Sequence, residues 1–243
     1  MIGRLISVTE SSCQGPPLLS IIVPLLNERS LLPAVLPNIL RLQQSHGVVE
    51  WLFVDGGSCD GSVEYLQAQG LRVIASDAGR ARQMNTGAAQ AGGAWLLFLH
   101  IDTLLSTEAL AALRRHCEER PPGWGRFDVR IHGRSSMLKV VASMMNWRSR
   151  ITGIATGDMG IFVHREVFAA VSGFPEQPLM EDIEISRRLK RTGRPHCLSQ
   201  PVITSGRRWD EKGVWATILL MWRLRIAYFM GRSAADIARR YYG

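Results

Sequence analysis

Acidic residues at a few turn-like positions carry side chains able to handle metal ions, phosphates and protons. Asn27-Glu28, Asp55-Gly56-Gly57-Ser58, His100-Ile101-Asp102-Thr103 and Glu181-Asp182-Ile183-Glu184 are the segments concerned. His100 and Asp102 stand two positions apart, a spacing that projects both to one side of an extended chain. Such a pair handles a metal ion or a phosphate, and a hard divalent cation completes its shell with phosphate oxygens and water. Asp55 lies in a turn-rich loop, where it either shapes the turn or accepts from the base or ribose of a nucleotide. The loop is neither a G-x-G-x-x-G fingerprint nor a phosphate-binding P-loop. Gly79 to Gly87 places Arg80, Arg82 and Asn85 near a helix start, as a solvated face or as a grip on a diphosphate. Glu181 and Asp182 open a helix as partners of its dipole, and a carboxylate there is also what an alcohol acceptor needs as general base. Gly206-Arg207-Arg208-Trp209 reads as a surface patch or as a means of neutralising a leaving diphosphate.

Positioning these groups falls to short buried strands alternating with helices. Apolar runs at 18–23, 50–54, 71–75 and 94–99 read as strands, and 31–45, 60–68, 79–90 and 107–119 as helices. That alternation implies an α/β fold with a doubly wound, mostly parallel sheet, whose ligands bind beyond the carboxyl ends of the strands. Asn27-Glu28, Asp55 and His100-Asp102 all fall at such ends. Asn27 or Ser30 is available to cap the 31–45 helix. Farther on, 126–131 and 160–164 read as strands, and 136–150, 166–171, 181–191 and 214–230 as helices. The expected organisation is a lead-in over 1–17, a domain over 18–210 with nucleotide-binding (18–119) and acceptor (120–210) halves, and a helical extension over 211–243.

The chain has 243 residues, 46% of them hydrophobic and 21% charged, enough to bury a sizeable core and unlike a disordered or coiled-coil protein. Four cysteines, Cys13, Cys59, Cys117 and Cys197, show no paired spacing, which fits a reducing cytosol better than a zinc or disulfide scaffold. The start lacks the layout of a signal peptide. The apolar run from Val214 to Trp222 is about half of the ~20 residues a membrane-spanning helix needs. Net charge is +8, but residues 1–186 carry −2 and residues 187–243 carry +10. The basic C-terminal part therefore looks for an anionic partner, and its arginines favour forked phosphate contacts. Met-rich and aromatic stretches at 136–150 and 214–230 read first as core or oligomer contacts.

In order and spacing, Ile21-Ile22-Val23-Pro24-Leu25-Leu26-Asn27-Glu28, Val54 to Ser62, Gly79 to Gly87, Leu99-His100-Ile101-Asp102-Thr103 and Glu181-Asp182 together resemble a family 2 glycosyltransferase of GT-A fold. The likeness runs over roughly 20–210 and is nearest to the short, soluble bacterial branch carrying L-H-x-D-T. It implies a nucleotide-diphospho-sugar donor and inverting transfer to an acceptor hydroxyl. Pro24, Asn27, Glu28 and Asp55 match positions lining the nucleoside pocket, and Arg80 a basic position near the donor phosphates, with Arg82 and Asn85 beside it. Asp102 matches the last Asp of the D-x-D motif that holds a metal-bound diphosphate. Asp182 matches the base, with Glu181 beside it. His100 replaces the first Asp of D-x-D, and an imidazole there suits manganese or a softer ion better than magnesium. Arg207 and Arg208 are the candidates for the leaving diphosphate.

The expected partners are the donor, a hydroxyl acceptor that is a candidate for lipid linkage, a peripheral membrane contact through the 214–230 helix and a second copy in a homodimer. No nucleic acid is expected. The location implied is the cytoplasm, including the inner membrane face. The rival readings are a catalytically idle binding module and a sugar-phosphate nucleotidyltransferase. The latter would carry a Gly-rich, lysine-bearing loop where Pro24 to Arg29 stands.

Overall fold

The computed structural model describes residues 16–45 and 49–242. Cys13 and most of the 1–17 lead-in lie outside them. The first half is built from parallel strands β1 (Leu19–Leu25), β2 (Val49–Asp55), β3 (Val73–Ala75) and β4 (Trp95–Phe98), joined by α1 (Leu32–Ser45), α2 (Ser62–Ala68) and α3 (Arg80–Gln90). Every residue of β1 and β4 is buried, as uninterrupted apolar runs require of strands covered on both faces. After the two-residue strand β5 (Thr103–Leu104) and α4 (Thr107–Glu119) comes a mixed half. It contains β6 (Trp124–His132), α5 (Met137–Thr152), a single 3-10 turn at Gly157–Met159, β7 (Ile161–His164), α6 (Arg165–Ala170), α7 (Glu181–Leu189) and β8 (His196–Ser205). Three helices close the chain: α8 (Arg207–Lys212), α9 (Val214–Phe229) and α10 (Ala234–Tyr242).

All eight strands form one sheet in the order β3-β2-β1-β4-β7-β6-β8-β5. The pairings β1–β2, β1–β4, β2–β3 and β6–β8 are parallel, while β4–β7, β6–β7 and β5–β8 are antiparallel. The chain steps from β1 outward to β3 and then returns to β1's other side as β4. Strand order therefore reverses between β1 and β4, and the crevice beyond their carboxyl ends is where such a sheet takes ligands. Pairing of β1 with β4 ends at Ile22–Phe98. Pro24, two residues on, then has no β4 residue opposite it and forfeits nothing by lacking an N–H.

Helix α3 settles on β1 and β2 because Gly87 has no side chain. A Cβ there would lie 2.5 Å from Ile22 Cγ2 and 2.9 Å from Val54 Cγ2. One turn earlier, the buried Gln83 amide donates to Leu25 O (2.7 Å) and Val54 O (2.8 Å), tying the two strand ends together. A second, smaller apolar cluster joins the start of α7 (Leu179, Met180, Ile183) to α9 and α10 (Leu224, Ile237, Ala238).

Strands β5 and β8 and the short helix α8 have no counterpart in the sequence expectation. β8 has no apolar run, being half exposed, and it carries Pro201 beside a bulge where Phe127 pairs with Leu198 but Asp128 with Pro201. α1 starts at Leu32, and Asn27 does not cap it: its side chain accepts from Cys59 N–H instead.

Candidate functional site

At the carboxyl end of β1, the loop 24–30 is zipped onto the loop that follows β2. Asn27 N donates to Ser58 Oγ (2.8 Å), Asn27 Oδ1 accepts from Cys59 N (2.9 Å), Glu28 N donates to Ser62 Oγ (3.1 Å) and Arg29 N to Asp60 Oδ2 (2.9 Å). Asn27 adopts φ 54°, a left-handed conformation that asparagine tolerates better than most residues. The buried Asp55 carboxylate accepts from Gly57 N (2.9 Å) and Ser58 N (3.0 Å). The turn chemistry of these residues is thus realised. It leaves the Glu28 carboxylate half-buried at the crevice.

Glu28 marks one side of a charged constellation. Burial raises its pKa above the ordinary glutamate value, and the neighbouring Asp102 and Asp60 anions push the same way. Arg207 and Arg80 pull it down. Arg207 reaches this place through the sheet: Thr103 pairs with Thr204, Ser205 N donates to Asp102 O (3.2 Å), and Arg207 is two residues beyond. Arg208 turns elsewhere, its guanidinium 4.0 Å from the centre of the Tyr241 ring, so of the two arginines expected at a diphosphate only Arg207 is brought to Asp102.

The other side is built around the start of α7. Met180, at φ 66°, ends the approach loop in a left-handed conformation and delivers Glu181 and Asp182 to the helix's first turn, where the dipole favours negative charge. Asp182 Oδ2 accepts from Gly157 N (2.9 Å) and Oδ1 from Ile183 N (2.7 Å). Glu181 is 3% exposed. Burial, then the adjacent Asp182 anion, hold its pKa above the ordinary value, against the opposing pull of Arg80 and His100. Arg80 Nη1 lies 3.4 Å from Glu181 Oε1, and its charge also acts on Glu28 and Asp158. Arg80 therefore spans the two sides.

His100 faces this second side. Its Nδ1 is 3.5 Å from Asp158 Oδ1, and its Cε1–Nε2 edge packs on Gly157, where a Cβ would lie 2.4 Å from Cε1. Hydrogen bonding and charge from His100 keep the Asp158 carboxyl below its ordinary pKa despite the cost of desolvation. One ring nitrogen of His100 is thus directed at Asp158 and the other lies against Gly157. Among the described residues no group of three or more His, Cys, Asp and Glu side chains is placed to hold a metal ion. Asp102, whose hard oxygens suit a divalent cation, fits the role of a single protein ligand, with donor phosphates and water supplying the rest.

Arg82 and Asn85 are drawn to a different cleft. Arg82 Nε pairs with Glu176 Oε2 (3.2 Å), and the Asn85 amide exchanges bonds with the Phe174 backbone, donating to its O and accepting from its N at 2.9 Å each. With Ser76, Asp77 and Thr86 they line about 690 Å³ of open space at the end of β3. Asn85 pins the loop leading to α7 rather than presenting its amide to a ligand.

Three residues of the site escaped the sequence reading. Asp158 is on the 3-10 turn, and Arg148 on α5 and Arg225 on α9 both act on Asp182. A signal for Arg148 does exist: it continues the stripe Leu138, Val141 and Met145 by which α5 packs inward, a place where an arginine needs a reason.

The family described as Glycosyl transferase family 2 matches residues 20–163, more than half of the chain. Curated relatives include the PGL/p-HBAD biosynthesis glycosyltransferases of Mycobacterium bovis (strain BCG / Pasteur 1173P2) and Mycobacterium tuberculosis (strain ATCC 25177 / H37Ra). Each is 38% identical over 114 residues, covering 44% of this chain and 44% of the relative. The matched region thus spans less than half the length of those relatives. Among solved structures, S. aureus TarS 1-349 in complex with UDP-GlcNAc is similar with TM-score 0.63 and 18% identity, over 77% of this chain and 58% of that one. The mannosyltransferase PcManGT from Pyrobaculum calidifontis, in complex with GDP-Man and Mn2+, is similar with TM-score 0.62 and 21% identity, over 88% and 61%. The likeness to these two is one of fold.

Proposed function

The chain belongs to glycosyl transferase family 2, and from that premise we propose that it moves a sugar from a nucleotide-diphospho-sugar to an acceptor hydroxyl with inversion at the anomeric carbon. The observation that carries this reading is the division of the crevice: Glu28, Asp102 and Arg207 on one side, Asp182 on the other, with Arg80 reaching both. Donor-bound solved structures of the same fold, with UDP-GlcNAc and with GDP-Man, support it.

The nucleoside lies over the loop 24–30 and Asp55, and its diphosphate over Asp102 and Arg207, with Arg80 alongside. Asp102 would hold a divalent cation there, manganese or magnesium, which when bound supplies charge stabilisation to the departing diphosphate. Asp182 takes the proton of the acceptor hydroxyl as that oxygen bonds to the anomeric carbon. The bond from that carbon to the diphosphate oxygen breaks on the opposite face, and Arg80 and Arg207 meet the negative charge that builds there. Gly157 and Ile183 N–H groups fix the Asp182 carboxylate in advance, which is what a base needs to act without reorganising.

Asp182→Asn tests the assignment. An asparagine oxygen still accepts one of these backbone bonds, so the variant is expected to fold, with an unfolding midpoint lowered by the loss of the other. Loss of the base is expected to lower turnover by about 10²–10⁴-fold. Wild-type turnover in the folded variant rejects Asp182 as base. Titrating UDP- and GDP-sugars by calorimetry, with and without manganese, separates the enzyme from an idle module, which binds without turnover.

The second part of the proposal concerns where the enzyme works. α5 exposes Val140, Met144, Trp147 and Ile151, and α9 exposes Trp215, Leu219, Trp222, Ile226 and Phe229. Each set recurs at three- and four-residue spacing, an apolar stripe on one helix face. Neither helix contains an acidic residue, and Lys139, Arg150 and Arg223 accompany the stripes. Among the described residues no helix is long and apolar enough to cross a membrane. An anionic lipid surface suits stripes of this kind, whereas a second copy of the same face would oppose arginines to arginines.

A further inference from the structure

We infer that Arg148 and Arg225 form a seat for an anionic group carried by the acceptor, beside the carboxylate that takes the acceptor's proton. The inference rests on the acceptor-side reading of Asp182 given above and adds the chemical class of the acceptor.

The first observation is an unfilled pair of donors. Arg148 Nε and Nη2 are buried and have no hydrogen-bond partner among the described residues. Leaving charged donors dry and unmet costs more than leaving neutral ones. The same region shows how this fold treats an arginine with a purely internal role. Arg126 on β6 is 0% exposed, and it donates to Ser149 Oγ (3.1 Å), Phe127 O (3.1 Å) and Asn146 O (3.0 Å) and pairs with Asp128. Arg150, two residues from Arg148, forks onto both oxygens of Asp128 at 2.6 and 2.9 Å. Arg148 sits between these satisfied neighbours with its donors idle.

The second observation is that another guanidinium lies within electrostatic reach of it. Arg225 comes from α9, a different helix, and the two like charges act on each other. Neither forms an ion pair with a described residue, although both feel Asp182, and Arg225 also feels Asp158. Burial lowers both arginines' pKa, Arg148's to about 10, so each cation is kept at a desolvation cost that an incoming anion would offset. Guanidinium forks favour phosphate and carboxylate geometry, and two of them suit a phosphate monoester. The donor's own diphosphate has Arg207 beside Glu28 and Asp102, with Arg80 reaching across the crevice from there to Glu181. This second arginine pair therefore serves the other substrate. α5 and α9 carry the exposed apolar stripes on their outer faces, which admits a phosphate on an amphiphile as well as a free one.

Calorimetric titration of the full chain with octyl phosphate, octyl glucoside below micelle formation, and inorganic phosphate tests this without donor or turnover. Octyl phosphate is expected to saturate one site at least tenfold more tightly than octyl glucoside. Arg148→Met and Arg225→Met are each expected to weaken it tenfold or more, with Arg148→Lys in between. Inorganic phosphate binding as well as octyl phosphate marks a soluble acceptor, and weaker binding marks a lipid-like one; either supports the seat. Octyl phosphate binding no better than octyl glucoside overturns it. So does retention of wild-type affinity in both methionine variants, since the anion then sits with Arg80 and Arg207. Should Arg148→Met fail to fold, Arg225→Met decides alone. Failure here leaves the Asp182→Asn result untouched, so the two readings fall separately.

Discussion

Glu181 is almost fully buried beside a second carboxylate, and its ionisation works against the fold. Its pKa is raised first by burial and then by Asp182, so the folded state prefers the protonated form. A carboxyl raised in this way contributes its full stability below the ordinary value of 4.5 and loses it as pH rises through the folded-state value. Glu181→Gln is therefore expected to unfold at a higher temperature than wild type at pH 8 and at the same temperature near pH 4. Scanning calorimetry across that range checks the sign, and a destabilised variant at pH 8 contradicts it. Arg80 weighs little in the comparison because its side chain is 47% exposed and 3.4 Å from Glu181. At this scale Glu28, Asp55, Asp102, Glu181 and Asp182 were legible in the sequence, since each stands where a strand ends or a helix begins, whereas Asp158 in its 3-10 turn was not. Arg148 left a trace only as the continuation of an apolar stripe, and Arg225 left none. An arginine in an apolar helix reads as a solvated head until packing shows which way the helix is turned.

Between elements, contacts too close for a side chain decide how the sheet is covered. Alanine is ordinarily worth about 1 kcal/mol over glycine inside a helix. At Gly87 that gain meets Ile22 Cγ2 at 2.5 Å and Val54 Cγ2 at 2.9 Å, and overpacking costs about 1–3 kcal/mol. Gly87→Ala is thus expected to lower the urea midpoint in spite of the better helix former, and a raised midpoint refutes the close fit of α3. The same strands show why the fold was readable in its first half. β1, β2 and β4 are apolar on both faces, and their helices follow at once. β8 was invisible for the opposite reason: His196-Cys197-Leu198-Ser199-Gln200-Pro201 alternates no pattern and is held by parallel pairing with β6, a partner more than sixty positions away. With β8 unseen, the route that carries Arg207 to Asp102 was unseen too, and Arg207 and Arg208 looked equivalent.

For the molecule as a whole, charge and greasy surface coincide. Residues 187–243 carry net +10, and Trp147, Trp215 and Trp222 are each more than 60% exposed. The protein is expected to float with phosphatidylglycerol vesicles, to stay behind with phosphatidylcholine, and to be released by about 1 M salt, where screening reaches ~3 Å. Replacing Trp147 and Trp222 together by serine is expected to abolish flotation without altering nucleotide-sugar binding. A wild-type protein that remains at the bottom of the gradient with anionic vesicles, or that runs as a dimer with both tryptophans covered, removes the membrane reading.

The small apolar cluster shared by α7, α9 and α10 has a practical bearing. Leu179, Met180 and Ile183 bracket the two acids at the head of α7, and they are roofed by Leu224, Ile237 and Ala238 from the last two helices. Trimming the tail to obtain a tidier fragment would spare every strand and still strip the shelter from the very residues a biochemist would want to assay. A shortened version that crystallises well and does nothing would be a fault of the scissors.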